Sequence, residues 1–294
     1  MQLLVMLAVA LLMLLIYAVF TVVLQSSAVD TNAAGNLLWI ETLSQLLIFL
    51  VPVIYITFRY YRGRQREYYR LDFSGRRWLY ALASAVIMLL LVPLVDWLTI
   101  WNDSWDLGIV GEKLRALQNT TEGIMEAMLG TTTVGGLLTN LVVVALMPAV
   151  CEEVFFRAGI QNLLQRWFTG NYEGGNASSR PAIGTHAAVW LTAIIFSLVH
   201  GEIFSFMPRF AMGLLLGYLY IYSGSILANM AAHFVNNAII VVLYWLYTNG
   251  LSNIDPEVEL NLGWLTIACC LLAALTLFYT TFIMKRDSSA KKIR

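Results

Sequence analysis

Leu137-Leu138-Thr139-Asn140-Leu141-Val142-Val143-Val144-Ala145-Leu146-Met147-Pro148-Ala149-Val150 runs without a break into Cys151-Glu152-Glu153-Val154-Phe155-Phe156-Arg157. The first part is a long apolar run that reads as a membrane helix. The second sets two adjacent carboxylates into it. Insertion scales put one acidic residue at the centre of such a helix at roughly 2.5–3.5 kcal/mol unfavourable, and two facing lipid at roughly twice that. An uncharged residue would be cheaper in every respect except chemistry. An acidic pair inside a span therefore marks a functional site, and the rest of the chain is read for what that site does.

Composition agrees with a membrane setting. Of 294 residues 59% are hydrophobic and 12% charged, and the mean hydropathy is +0.71. A soluble domain carries about 25% charged residues. The fold class expected is all-α, a polytopic integral membrane protein with about eight transmembrane helices. The basic residues sit beside spans rather than on a polar domain, so nucleic acid is not an expected partner. Cys151, Cys269 and Cys270 all lie in apolar segments, which suits packing better than a disulfide framework. Met1 to Phe20 resembles a signal h-region but is too long and lacks a basic n-region, so it reads as a retained first span.

A span needs about 20 apolar residues. Eight candidates are residues 2–24, 37–58, 78–101, 134–157, 184–201, 208–222, 225–247 and 262–284, the sixth being short. Lys and Arg concentrate between spans two and three (Arg59, Arg62, Arg64, Arg66, Arg70, Arg76, Arg77) and in the tail (Lys285, Arg286, Lys291, Lys292, Arg294). Acidic stretches surround Asp30, Asp103–Glu126 and Asp255–Glu259. With eight spans every basic loop falls on one side, so both termini are expected in the cytoplasm.

Residues 105–131 carry Leu107, Val110, Leu114, Leu117, Ile124, Met125 and Met128 in a mixed pattern, expected as an amphipathic helix at the outer interface. Residues 168–182, rich in Gly, Ser and Asn, read as a flexible cytoplasmic loop. The chain divides into an N-terminal three-span region with its outer interfacial segment (1–133), a helical core (134–247), and a final span with a basic tail (248–294). In the first three spans the ionisable residue singled out is Asp96, which Trp97 and Trp101 flank as part of an interfacial belt.

Polar groups gather in the later spans. Glu153 and Arg157 are four apart and can pair on one helix face, while Glu152 is turned about 100° away and free for another task. Phe196-x-x-x-His200 ends the fifth span. Gly213-x-x-x-Gly217 is a small-residue face for close helix packing, and Arg209 before it reads as an interfacial anchor. His233-x-x-x-Asn237, with Asn236 beside it, stacks two donors on one face. His186 has no matching partner and reads as structural, and Cys151 points away from Glu152 on its helix.

A carboxylate pair, two histidines and an asparagine on three spans exceed what packing requires. Peptide hydrolysis needs a base for water, donors for the developing oxyanion and a proton for the leaving amine. Glu152 can be the base, His200 can orient the water or shuttle the proton, and His233 and Asn237 can supply the oxyanion donors. Two other classes fit the same residues: a non-catalytic membrane scaffold or immunity factor, and a proton-coupled transporter using Glu152 and His200 as a relay.

In this order on successive spans, Glu-Glu-x-x-x-Arg (152–157), Phe-x-x-x-His (196–200) and His-x-x-x-Asn (233–237) resemble the CAAX-protease and bacteriocin-processing family of intramembrane endopeptidases. Leu216-Gly217 and Tyr222-Ser223-Gly224-Ser225-Ile226 also match that family's usual run. The resemblance covers about residues 134–247. It implies catalytic roles for Glu152, His200, His233 and Asn237, with Glu153 and Arg157 in support. The substrates it implies are membrane-associated peptides or proteins, prenylated at the C-terminus in one branch only. The family was long described as metal-dependent. No cofactor is the favoured expectation; the alternative is a divalent metal such as zinc on Glu152, His200 and His233, which would supply three ligands. One difficulty accompanies this reading. The predicted spans set Glu152 in the cytoplasmic half and His200 in the outer half. They meet if the fourth helix is shifted, or if the fifth begins in the cytoplasm near Pro181 and tilts.

Overall fold

The computed structural model describes residues 1–25, 34–71, 77–170, 183–253 and 264–291. Its main helices are α1 (Gln2–Gln25), α2 (Ala34–Tyr60), α3 (Arg77–Asp103), α4 (Gly108–Leu129), α5 (Val134–Thr169), α6 (Ile183–Val199), α7 (Phe206–Ser223), α8 (Ile226–Thr248) and α9 (Trp264–Lys291). No strand occurs among the described residues. Large apolar side chains such as Leu11, Leu15, Val19, Leu82, Leu138 and Leu271 are exposed, an arrangement that suits lipid rather than water. The protein is an integral membrane protein.

The expected eight spans resolve into six helices of spanning length and apolarity and two shorter apolar ones, Ile183–Val199 and Leu265–Leu277, among the described residues. The 17 residues of α6 reach about 25 Å, against a hydrocarbon core of about 30 Å. Gly201, at φ 73°, ends that helix. The sixth candidate, expected short, is extended instead: a 3-10 turn at Ile203–Ser205 precedes α7, and together they run 21 residues.

The fourth helix differs most from its sequence outline. The apolar run fades near Arg157, but α5 continues to Thr169, a 36-residue segment of about 54 Å. Its last part, Asn162–Thr169, buries Asn162, Leu163 and Leu164 and exposes Trp167 and Phe168, and Gly170 closes it in the left-handed conformation at φ 66°. Phe168 and Thr169, expected in a loop, are therefore helical; the rest of that predicted loop, 171–182, lies outside the described residues.

Wide π turns interrupt α2 at Gln45–Leu50 and α5 at Leu141–Leu146 and Val154–Gln161. The first two lie just before Pro52 and Pro148, whose rings crowd the preceding turn and whose missing N–H leaves a carbonyl to be accommodated. The third has no proline and directly follows Glu152-Glu153.

The core is built around α5. Phe155, Phe156 and Ile160 pack with Met6 of α1, Val53 and Ile56 of α2, Phe196 of α6 and Tyr220 of α7. A Cβ on Gly159 would lie 2.9 Å from the Met6 sulfur and 3.1 Å from Val53, so α1 and α2 approach here because the residue is glycine. Gly213 and Gly217 do the same between α7 and α6, where a Cβ would stand 3.0 Å from Ala193 and 2.7 Å from Val189.

The basic loop after α2 shares one face with the N-terminus and with the far end of α5. The Tyr61 hydroxyl donates to Gln2 (2.7 Å), Arg166 donates to that hydroxyl (2.7 Å), and Arg70 donates to the Tyr220 carbonyl (3.2 Å). Helix α4 forms where expected and exposes Val110, Leu117, Ile124 and Met125. It is fastened at the opposite face: Arg115 pairs with Asp103 and lies 3.7 Å over the Phe204 ring, and Asn140 donates to the Met128 carbonyl at 3.1 Å.

Candidate active site

Antiparallel register settles the Glu152–His200 difficulty. Gly184 lies beside Phe168, where an added Cβ would come within 2.9 Å of its backbone. Glu152 is sixteen residues before Phe168, and His200 sixteen after Gly184. Sixteen residues of helix rise about 24 Å on either side, so the two side chains reach one level. Phe156 and Phe196, on the same register, meet edge to face at 5.0 Å. The fourth helix keeps its predicted start and is lengthened to Thr169, and the fifth starts at Ile183 beside that end, which brings the two level.

At that level Glu152 Oε2 stands 4.0 Å from His200 Nε2 and 4.0 Å from His233 Nε2. This oxygen is buried and has no direct hydrogen-bond partner in the protein. Both imidazoles are oriented from behind. His200 Nδ1 donates to the Phe196 carbonyl (2.7 Å), which can only accept. His233 Nδ1 donates to Glu153 Oε1 (3.0 Å). In the neutral form each ring therefore turns the lone pair of Nε2 toward Glu152. The ring of Phe196 lies between them, 4.9 Å from His200 and 6.0 Å from His233.

The support runs deeper than the sequence indicates. Arg157 Nε donates to Glu153 Oε2 at 3.0 Å with both side chains fully buried, the pairing expected from their spacing. Arg157 Nη1 then donates to Gln161 Oε1 (3.4 Å), and Gln161 Nε2 donates to the Gly217 carbonyl (3.0 Å). A buried chain of polar contacts thus links α7 through α5 to His233 on α8. The small-residue face of α7, read as packing alone, also opens the Gly217 carbonyl to Gln161. Asn237 lies one turn beyond His233, half-buried, and its Oδ1 accepts from Asn236 Nδ2 (3.1 Å). His233 Nδ1 is spent on Glu153, so Nε2 is the ring nitrogen left to act beside Asn237.

Two residues of the site were passed over in the sequence. Gln45 Nε2, from α2, donates to Glu152 Oε1 (3.2 Å) and to Glu41 Oε1 (2.8 Å). Glu41 lies inside the second candidate span, so Asp96 does not stand alone there; a charge count along that span would have found it. Gln161 follows Arg157 by four residues and was legible by the same spacing that paired Arg157 with Glu153.

The other residues singled out lie outside the centre. His186 Nδ1 pairs with the Tyr218 hydroxyl (2.9 Å), to which Trp190 also donates (3.2 Å), a structural role. Arg209 pairs with Glu202 beside the turn that follows His200. Asn102 grips that turn from α3, donating to the Ile203 carbonyl (3.1 Å) and accepting from the Met207 amide (2.7 Å). Trp97 stacks on Trp101 at 6.5 Å next to Asp96.

Two imidazole nitrogens and a carboxylate oxygen are donor types a zinc ion accepts, and Glu153 and the Phe196 carbonyl behind the rings suit a metal's outer shell. The spacing does not fit: a tetrahedral zinc shell has ligand atoms about 3.3 Å apart, and the separations here are 4.0 Å. Among the described residues no group of three or more such side chains is spaced to hold a metal ion.

Residues 134–239 match the family model described as type II CAAX prenyl endopeptidase Rce1-like. No curated protein and no solved structure matches the chain.

Proposed function

We propose, from the match of residues 134–239 to the Rce1-like CAAX endopeptidase family model, that the chain is an intramembrane endopeptidase in which Glu152 activates water. The observation that carries the reading is the convergence of Glu152 Oε2, His200 Nε2 and His233 Nε2, with the carboxylate oxygen buried and unpaired. Separations of 4.0 Å are too long for direct hydrogen bonds and suit one small bridging group. A water there donates one hydrogen to Glu152 and is oriented by His200.

The chemistry follows from those positions. Glu152 takes a proton from the water as its oxygen attacks the peptide carbonyl. The resulting oxyanion takes hydrogen bonds from Asn237 Nδ2, which the Asn236 contact leaves available, and from His233 Nε2. His233 donates from Nε2 when both its nitrogens carry protons, and Glu153 beside Nδ1 offsets that charge. Two carboxylates, Arg157 and one imidazolium then balance in the fully buried cluster, which a low-dielectric interior requires. Glu152 returns its proton to the leaving amine. Water and a peptide bond become a carboxylic acid and an amine, and the acid's proton then passes to the amine or to solvent.

The substrate is a membrane-associated peptide or protein whose backbone is unwound at the scissile bond, since carbonyls within an intact helix are already hydrogen-bonded. The shared face of the N-terminus and the basic loop, with the excess of Arg there, supports a cytoplasmic location for that face. The two shorter apolar helices complete eight crossings in this reading.

Quantitative C-terminal peptide mapping of membranes from cells expressing the wild type or Glu152→Gln tests the proposal. New termini present with the wild type and missing with the variant are expected, and their sequences define the substrate class. Identical maps at equal expression would refute it. Cleavage by the purified protein should survive a chelator; loss that added zinc restores would overturn the metal-free form of the mechanism.

A further inference from the structure

We propose that Gln45, on α2, is a positioning residue of this site: it holds one oxygen of Glu152 so that the other faces the two imidazoles. The inference rests on Glu152 being the base. It brings in a residue from outside the 134–239 segment that the family model covers.

A carboxylate turns easily about its terminal bond, whose torsional wells are broad and two-fold. Its two oxygens are then equivalent unless something distinguishes them. Gln45 Nε2 does so, donating to Glu152 Oε1 at 3.2 Å from a side chain that is 5% exposed. Oε2 is thereby left to the imidazoles at 4.0 Å on each side.

The orientation of the amide is itself determined. Its NH₂ group has two hydrogens, and Glu41 Oε1 (2.8 Å) and Glu152 Oε1 (3.2 Å) both stand at that nitrogen. Reversing the amide would set its carbonyl oxygen against two carboxylate oxygens. In the observed orientation Gln45 Oε1 is buried with no partner, a cost that packing alone would avoid by using an apolar residue. The π turn of α2 starts at Gln45, and a wide turn of this kind re-aims the side chains at its edge.

Two near-isosteric variants of the full chain test this. Gln45→Met removes the donor at every pH. Gln45→Glu donates to Glu152 when its carboxylic acid is protonated and repels it when ionised. Cleavage is followed by the peptide mapping described above. In parallel, reaction of Glu152 in the purified protein with dicyclohexylcarbodiimide, which attacks protonated carboxyl groups in apolar surroundings, is read by mass spectrometry. Misplacing a catalytic group by about 1 Å costs up to about 100-fold in rate, so Gln45→Met should cleave roughly 10- to 100-fold more slowly across the pH range. Gln45→Glu should keep substantial activity in acid and lose it reversibly as pH rises, a profile that a packing role would not produce and that misfolding cannot mimic. Carbodiimide labelling of Glu152 should be faster in Gln45→Met than in the wild type, because a carboxylate without its donor takes up a proton more readily. Wild-type labelling rates in both variants, or parallel pH profiles for wild type and Gln45→Glu, would overturn the proposal. A wild type that cleaves nothing while Gln45→Met labels faster would refute the protease reading and leave the Gln45–Glu152 contact supported.

Discussion

Replacing Arg157 with Met isolates what holds the site together. Arg157 is fully buried; it donates to Glu153 at 3.0 Å and to Gln161 at 3.4 Å, and lies 5.6 Å over the Phe196 ring. Methionine fills much of its volume but leaves the buried Glu153 carboxylate with His233 as its remaining partner and Gln161 Oε1 without a donor. Breaking a buried ion pair costs about 3–5 kcal/mol, and the lost hydrogen bond about 1 kcal/mol more. Arg157→Met should therefore destabilise the protein by about 4–6 kcal/mol. Pairing it with Glu153→Gln removes the stranded charge, so the double variant should recover roughly half of that loss. Reversible chemical unfolding in detergent micelles, run on both single variants and the double, measures the coupling energy directly. A loss below about 1 kcal/mol for Arg157→Met, or strictly additive effects in the cycle, would refute the reasoning, since both require Glu153 to be solvated, neutral or balanced by His233 alone once Arg157 is gone.

Glycine substitutions should separate yielding from unyielding neighbours. Gly159→Ala meets the flexible thioether of Met6 at 2.9 Å, whereas Gly213→Ala meets the Ala193 backbone at 3.0 Å; the first should cost under about 1 kcal/mol and the second about 1–3 kcal/mol in the same unfolding assay. Equal losses would contradict the packing described for α7. Asn102→Ala should cost about 2–3 kcal/mol, because the Ile203 carbonyl and Met207 amide both lose a buried partner. It should also raise hydrogen exchange at residues 201–207, the turn next to His200; unchanged exchange there would contradict the clamp.

The local parts of this site were legible in the sequence. Glu153 and Arg157 pair because four residues of helix place them together whatever surrounds them, and Gln161 extends the same arithmetic. The ordered motifs on successive apolar helices pointed to the family that the 134–239 match supports. The span count was less secure. Hydropathy marks where lipid ends, not where a helix ends, so it lost α5 twelve residues before Thr169 and overstated how far α6 runs.

By itself the sequence determined an all-helical membrane protein, the buried acidic pair and the candidates that surround it, since each of these depends on composition or on spacing within one helix. The tertiary structure decided which candidates meet. Glu152 reaches His200 through the antiparallel register of α5 and α6, which is set where Gly184 admits Phe168. It reaches Gln45 across 107 residues of chain, and Gln161 reaches Gly217 across 56. Contacts of this kind come from how helices slide and rotate against one another during packing, a degree of freedom that no spacing within a single helix records.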